Sequence, residues 1–178
     1  LKGLTAQYLL KKTLPVEGLK HGDYVLFHAA AGGVGLIACQ WAKALGLQLI
    51  ATAGSAEKCQ LALAHGAAHA INYRSEDFVA RVKDITGGAG VKVVYDSVGK
   101  DTWEGSLNCL RPFGLMASFG NASGPVTGVG LRELQVRGSL FVTRPGVYDY
   151  YRDPAEAQAG AAKLWQMIAS GAVRNALR

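Results

Sequence analysis

The sequence predicts an α/β fold, in which helices cover both faces of a doubly wound, parallel, six-stranded sheet. Two observations lead to this prediction. Short apolar runs rich in β-branched residues alternate along the chain with segments of helical periodicity, as in repeated β-α units. The first run leads directly into a cluster of glycines, which is typical of sheets with the strand order 3-2-1-4-5-6. We therefore expect parallel strands joined by right-handed crossovers.

Local signals mark the elements of the first half of the chain. Leu4, Tyr8 and Leu9 recur at helical spacing and predict an opening amphipathic helix. Gly46 is typical of a helix C-terminal end, and Ser55 is a suitable N-cap for the helix after it. The opening helix is predicted to end near residue 12, and further helices are predicted over 36–45, 56–65 and 75–85. The predicted strands span 24–28, 48–53 and 68–72.

The second half shows the same alternation. Asp101 is expected to cap the helix that follows it, and Pro154 is typical of a first helical turn. The last helix is predicted to bury Leu164, Trp165 and Ile168. The predicted strands span 91–95, 115–119 and 137–142, and the predicted helices span 101–110, 130–134 and 154–169.

Composition limits the classes of protein to which the chain can belong. Its 178 residues, 49% of them hydrophobic, correspond to about one large domain. No apolar run is long enough for a transmembrane helix, and no secretory signal is visible. Cys39, Cys59 and Cys109 lie far apart in predicted helices, which is typical of reduced thiols rather than of a disulfide framework or a zinc site. We therefore expect a cytoplasmic protein without a membrane partner.

The net charge of +6 is compatible with an anionic ligand. The basic residues are scattered, and Lys11 and Lys12 form the densest pair. No aromatic–glycine signature of an RNA-binding module is present, so nucleic acid is not the favoured partner. Ordinary surface charge and a polyanionic small cofactor both remain open as explanations.

Residues 24–45 carry the strongest functional signal: an apolar strand, then Gly32, Gly33 and Gly35, then a helix. This is the setting of the phosphate-binding turn in the Rossmann fold, because a helix N-terminus offers unpaired N–H groups and partial positive charge. The motif departs from G-x-G-x-x-G, since Ala30 occupies the first glycine position. A tight turn without any ligand remains the alternative.

The end of the second strand bears on the choice of dinucleotide. An NAD site needs an acidic residue there to bind the ribose hydroxyls, but residues 52–55 contain no carboxylate. Lys58 lies one turn further on, and Tyr73 and Arg74 follow the neighbouring third strand. A 2′-phosphate requires such cationic, hydrogen-bonding groups, and Gly54 leaves space for it. We therefore expect NADP(H), with Lys58 and Tyr73 on the phosphate; a solvated helix lysine is the alternative for Lys58.

Several stretches together resemble the quinone oxidoreductase (zeta-crystallin-like) branch of the medium-chain dehydrogenase/reductase superfamily. They read HAAAGGVG at 28–35, QWAK at 40–43, AINYR at 70–74, VYDSVG at 94–99 and SFGNASG at 118–124. An alanine at the position of Ala30 is usual in this branch, so the departure from the strict glycine motif agrees with the resemblance.

The resemblance implies hydride transfer from NADPH to quinones without zinc. It also implies two domains, of which the chain is expected to contain the dinucleotide-binding one, with the GroES-like substrate domain absent. Within 1–178, we expect an opening helix and turn at 1–22, a Rossmann core at 23–170 and a truncated return segment at 171–178.

Candidate site residues come from the glycine turn, the strand ends and the resemblance together. The resemblance assigns Gly33 and Val34 to the pyrophosphate, and the loop 119–121 to the nicotinamide. The expected cofactor-binding residues are Ala31, Gly32, Gly33, Val34, Gly35, Gly54, Ser55, Lys58, Tyr73, Ser97, Phe119, Gly120 and Asn121.

No catalytic residue and no metal ligand are predicted within the chain. Hydride transfer to an activated quinone depends chiefly on orientation and exclusion of water. Asp96 is expected to bind neighbouring backbone N–H groups rather than to act as a base. His28, His65 and His69 lack the partners of a metal site.

The predicted last strand, 137–142, has little charge and should lie at the sheet edge, so we expect a homodimer through it. Three other functions remain open. They are an NADPH-dependent enone or alkenal double-bond reductase, an RNA-binding module and a cofactor-sensing domain.

Overall fold

The computed structural model describes residues 1–14 and 18–174, and within them it contains a six-stranded parallel sheet. The strand order is β3-β2-β1-β4-β5-β6, which confirms the predicted doubly wound architecture. The strands are β1 (Tyr24–Phe27), β2 (Gln48–Ala53), β3 (His69–Asn72), β4 (Val91–Asp96), β5 (Leu110–Ser118) and β6 (Phe141–Thr143).

Helices follow every strand, and an additional helix precedes the sheet. They are α1 (Lys2–Lys12), α2 (Gly33–Ala44), α3 (Ala56–Ala64), α4 (Phe78–Ile85), α5 (Trp103–Cys109), α6 (Leu131–Val136), α7 (Val147–Tyr150) and α8 (Pro154–Ala169). Parts of the predicted opening turn (15–17) and return segment (175–178) lie outside the described residues. Within the described ranges, no helix combines the length and the apolar character needed to cross a bilayer.

The central strands are buried on both faces, because successive side chains point to opposite sides of the sheet. Val25 and Phe27 pack in one core cluster with residues of α1 and α2. Leu26, between them, packs in a second cluster with residues of α4 and α5. The two clusters hold the sheet between two layers of helices.

The register brings the carboxyl ends of the central strands to one level. Phe27 at the end of β1 pairs with Ala51 on β2 and with Tyr95 on β4. Backbone hydrogen bonds continue beyond the strand, from Ala30 N to Thr52 O at 3.1 Å. The loops after β1, β2 and β4 therefore lie side by side at one edge of the sheet.

The prediction for the last strand was wrong in its bounds. Residues 137–140 form a turn instead, in which Gly138 and Ser139 have φ values of 105° and 55°. Leu140 N donates to Leu134 O at 3.1 Å, so this segment closes α6, and it meets β5 through the hydrogen bond from Phe113 N to Gly138 O at 2.8 Å instead of through a strand ladder. The short helix predicted over 130–134 extends to Val136.

Three further expectations were also wrong. Asp101 does not cap α5, because the helix begins one residue later and its N-cap is Thr102. The Thr102 side chain makes no capping hydrogen bond, since its hydroxyl donates to Asp96 instead. β5 begins at Leu110, which pairs with Val91 instead of ending the preceding helix. Trp165 is 66% exposed, whereas Leu164 and Ile168 on α8 pack against the core as predicted.

Candidate cofactor site

The glycine turn after β1 allows the backbone of α2 to lie very close to the backbone of Ala30. Gly32 is the N-cap of α2, and the first turn of that helix has no acidic side chain and no side-chain cap. A Cβ added at Gly35 would lie 2.4 Å from Ala30 O and 2.5 Å from Ala30 Cα, so only glycine allows the helix to pack this closely on the turn. The N–H groups of the first turn of α2 are therefore available to an anion.

Lys2, on α1, also lies at this turn, although it was not among the residues predicted for the site. A Cβ added at Gly33 would lie 2.8 Å from both Lys2 Nζ and Lys2 Cδ. Among the described residues, the Lys2 ammonium has no carboxylate partner. It thus adds a positive charge to the positive end of α2. No local sequence signal links residues 2 and 33, because their contact depends on the packing of α1 against α2.

The end of β2 brings together the residues expected to bind the 2′-phosphate. A Cβ at Gly54 would lie 2.6 Å from the Tyr73 hydroxyl and 3.5 Å from Arg74 Nε. Ser55 Oγ accepts a hydrogen bond from Lys58 N at 3.2 Å, which fixes the first turn of α3 and places Lys58 there. Within the described ranges, neither the Lys58 ammonium nor the Arg74 guanidinium is paired with a carboxylate. The structure thus places Arg74 nearer the centre of this cluster than the sequence indicated.

Asp96 organises the loop after β4, as the sequence predicted. Its Oδ1 accepts hydrogen bonds from Val98 N at 2.7 Å and Gly99 N at 3.0 Å. Its Oδ2 accepts from the hydroxyls of Thr102 at 2.6 Å and Ser106 at 2.8 Å. The carboxylate is fully buried and surrounded by donors, so it is a structural group rather than an available base.

The loops after β4 and β5 contact each other directly. A Cβ at Gly120 would lie 2.5 Å from Ser97 O, so this glycine is required for the contact. Phe119 packs against Phe27, with 5.7 Å between ring centroids, and Asn121 is exposed. Ser97, Phe119, Gly120 and Asn121 therefore lie next to one another, as expected for a single subsite.

Arg144, directly after β6, holds the β5 loop from the other side. Its Nη1 donates to Ser118 O at 3.1 Å and to Gly120 O at 2.9 Å. The positive charge of Arg144 also affects the pKa of Tyr8 on α1. Burial, with the nearby Tyr150, raises the pKa of Tyr8 to about 12, and Arg144 opposes this rise. The sequence did not indicate this role for Arg144.

The tyrosines around α7 divide into two groups. The ring of Tyr150 stacks on that of Tyr8, with centroids 4.7 Å apart and planes at 7°. Tyr151 also contacts Tyr8, in an edge-on arrangement at 6.4 Å. Tyr148, by contrast, is 84% exposed. Two of the three tyrosines thus cover the core, and they are not free to stack on a substrate.

The matching family model, whose description is "Zinc-binding dehydrogenase", covers residues 33–156. This chain belongs to the zinc-binding dehydrogenase family. Despite that description, the described part of the chain has no group of three or more His, Cys, Asp or Glu side chains able to hold a metal ion. The residues present therefore do not fit a zinc site.

Relatives of this zinc-binding dehydrogenase domain include a quinone oxidoreductase of Salmonella typhimurium, 60% identical over 98% of this chain and 52% of the relative. A 2-haloacrylate reductase of Burkholderia is 48% identical over 99% of this chain and 53% of the relative. The chain spans about half the length of these curated relatives. The resemblance stated from the sequence is thus confirmed.

Solved structures of two other proteins share the fold. The structure of Escherichia coli quinone oxidoreductase complexed with NADPH superposes with a TM-score of 0.95 at 57% identity, over all of this chain and 54% of that one. The crystal structure of 2-haloacrylate reductase gives a TM-score of 0.93 at 47% identity, over 98% of this chain and 53% of that one.

Proposed function

We propose that this chain is the NADPH-binding domain of an oxidoreductase that transfers hydride to a quinone or a related electrophile. One observation carries the proposal: the Tyr73 hydroxyl and Arg74 Nε lie against Gly54 at the end of β2, and Lys58 lies in the first turn of the helix that follows. The cations of this cluster have no carboxylate partner among the described residues. That charge suits a phosphate on the adenosine ribose rather than a free pair of hydroxyls.

The remaining loops supply the other parts of the proposed site. The glycine turn 31–35 and the Lys2 ammonium would bind the pyrophosphate. Ser97 and the loop 119–121 would orient the nicotinamide. Bound NADPH would supply the hydride, and this chain's residues would bind, orient and shield it. We propose no catalytic residue within the chain.

The quinone is proposed as acceptor because quinone oxidoreductases are among the relatives with high identity. A reductase of activated double bonds is the second candidate, favoured by the 48% identity to 2-haloacrylate reductase. The acceptor site would then belong mostly to a second, substrate-binding domain, with residues 1–178 forming the dinucleotide-binding domain. Assays of the longer protein with a quinone and with a 2-haloacrylate would decide between the two.

We propose a cytoplasmic setting for this domain. Cys39, Cys59 and Cys109 are free and buried. Burial raises the pKa of the Cys39 and Cys109 thiols to about 12, which keeps them protonated and unreactive. Such thiols suit a reducing compartment.

We also propose a homodimer formed through β6. This strand pairs with β5 on one side, and its other edge has no partner among the described residues. Phe141 and Val142 are 42% and 41% exposed, and the neighbouring Leu131 on α6 is 81% exposed. An apolar, unpaired edge of this kind favours strand pairing with a second copy. The edge is shorter than the 137–142 strand predicted from the sequence.

Titration of the chain with NADPH and NADH tests the cofactor assignment. Binding is followed by the change in nicotinamide fluorescence. We expect saturable NADPH binding and at least about tenfold weaker NADH binding, because one charge-assisted contact contributes roughly 1.5–3 kcal/mol. Equal affinities would contradict the assignment.

A further inference from the structure

A buried chain of hydrogen bonds links the carboxyl ends of three strands beneath the candidate site. Ser106 Oγ donates to Asp96 Oδ2 at 2.8 Å and lies 2.9 Å from His28 Nε2. His28 Nδ1 lies 2.9 Å from Thr52 Oγ1. The exposed fractions are 0% for Asp96 and Ser106, 2% for His28 and 1% for Thr52. From the sequence, Asp96 was expected to be a local structural group and His28 was considered only as a metal ligand and set aside; Ser106 and Thr52 were given no role.

The chemistry of the partners determines which imidazole nitrogen carries the proton. Ser106 has one hydroxyl proton, and it is directed to the Asp96 carboxylate, the strongest acceptor within reach. The Ser106 oxygen can therefore only accept from His28, which requires a proton on Nε2. The neutral ring then has a bare Nδ1, which accepts the proton of the Thr52 hydroxyl.

Burial keeps the His28 ring neutral. Desolvation lowers the pKa of His28, and the negative charge of Asp96 only partly opposes that effect. The Phe78 ring contacts the imidazole edge-on at 5.1 Å, and this apolar neighbour completes the dry environment. A neutral ring with two distinct nitrogens can join a donor on one side to an acceptor on the other.

Three of the four hydrogen-bonded residues stand at the base of a loop of the candidate site, and the fourth, Ser106, lies in α5. His28 directly follows β1 and precedes the glycine turn. Thr52 lies two residues before Gly54, and its carbonyl accepts from Ala30 N at 3.1 Å. Asp96 begins the loop that contains Ser97. A shift in any one member would thus displace its loop relative to the other two.

We infer that His28 is a positioning residue, whose neutral Nε2–H tautomer holds the loops after β1, β2 and β4 at fixed relative positions. The inference rests on the proposed function in one respect, which is that these loops face a dinucleotide. It assigns His28 no contact with the cofactor and no proton transfer.

The tautomer is tested first, by ¹⁵N–¹H correlation spectra of the histidine rings in the 178-residue chain. For His28 we expect a protonated Nε2 and a bare Nδ1 throughout the range from about pH 6 to 8. A proton on Nδ1, or a doubly protonated ring in this range, would overturn the inference.

The coupling of the loops is tested with two matched substitutions. Thr52→Val removes the hydroxyl at His28, and Thr13→Val removes another buried hydroxyl, which donates to Leu9 O in α1. We expect amide exchange in the loops after β1 and β4 to accelerate about fivefold in Thr52→Val and to stay unchanged in Thr13→Val. Equal exchange in the two variants would refute the coupling.

A conservative variant keeps the test decisive if Thr52→Val does not fold. Thr52→Ser retains the hydroxyl and should preserve both the tautomer and the slow exchange; loss of either would count against the inference.

NADPH titration of the unsubstituted chain separates the His28 inference from the proposed cofactor assignment. Absence of binding, together with the expected tautomer and exchange, would refute the cofactor assignment alone.

Discussion

Charge at the end of β2 is the decisive property at the scale of single residues. A 2′-phosphate carries close to two negative charges, whereas a ribose diol binds best to a carboxylate. Lys58 and Arg74 lack carboxylate partners within the described part of the chain, and Tyr73 adds a hydroxyl donor beside them. The same residues would hold NADH poorly, because they offer no carboxylate to accept hydrogen bonds from both of its ribose hydroxyls.

Lys58→Glu reverses this charge. We expect NADPH affinity to fall about 100-fold and NADH affinity to change little, since NADH lacks the phosphate that Lys58 would contact. Fluorescence titration with both cofactors measures the difference. Lys83→Glu, on the exposed last turn of α4, is the control and should affect neither cofactor. Equal losses for the two cofactors with Lys58→Glu would remove this lysine from the phosphate site.

His28 makes the folding stability depend on pH. Its pKa in the folded protein lies below the ordinary value of 6.5, with Asp96 as the charged group facing it. The unfolded chain therefore binds the proton first as the pH falls. Neutral His28 makes its full contribution to the free energy of unfolding above pH 6.5. That contribution is lost as the pH falls from 6.5 towards the pKa of His28 in the folded protein.

We expect the free energy of unfolding to decrease below about pH 6.5, with a slope approaching ~1.4 kcal/mol per pH unit from this residue. Urea unfolding at a series of pH values measures it. The slope should flatten in a His28→Gln variant. An unchanged slope in that variant would mean that other groups cause the dependence.

At the scale of elements, α1 and α2 together form the positively charged end of the first β-α unit, where we propose that the pyrophosphate binds. The glycines serve different purposes in it. Gly35 allows α2 to approach the backbone of Ala30, whereas Gly33 leaves room for the flexible end of Lys2. Packing and ligand binding can therefore be separated by substitution.

Gly35→Ala should destabilise the fold by at least about 2 kcal/mol, because its Cβ would clash with the rigid backbone of Ala30. Gly33→Ala should change stability by less than about 0.5 kcal/mol, since the Lys2 side chain can move aside. Urea denaturation of both variants gives the comparison. Similar losses in the two would contradict the packing role assigned to Gly35.

Lys2→Ala should weaken NADPH and NADH binding alike, by about fivefold, because both cofactors contain the pyrophosphate. Lys11→Ala, in the last turn of the same helix, is the matched control and should leave both affinities unchanged. A selective loss of NADPH would instead place Lys2 near the 2′-phosphate.

At the scale of the whole molecule, the edge of β6 is the surface through which we propose that two copies of the chain associate. We expect a dimer by light scattering at tens of micromolar protein, and a monomer for Phe141→Lys, because a charge on an edge strand disrupts its pairing with another strand. Leu61→Lys, on α3 with a similar exposed fraction of 39%, is the control and should remain dimeric. A monomeric unsubstituted chain would refute the β6 interface.

Most of the architecture followed from local patterns. The apolar runs predicted all six strands, because strand and helix periodicities are properties of neighbouring residues, and the glycine cluster after the first run indicated the strand order. The exceptions have local physical causes. Residues 137–140 look like a strand but form a turn, since Gly138 and Ser139 adopt positive φ. Trp165 follows Leu164 by about 100° around α8 and so faces solvent.

The sequence by itself determined the order of the elements, the parallel sheet and the glycine turn that opens α2. Only the tertiary structure decided which distant side chains meet there: Lys2 with Gly33, and His28 with Ser106 and Thr52. The reason is physical. Periodicity and capping act within a few residues, whereas these contacts depend on strand register and helix packing, which no local spacing encodes.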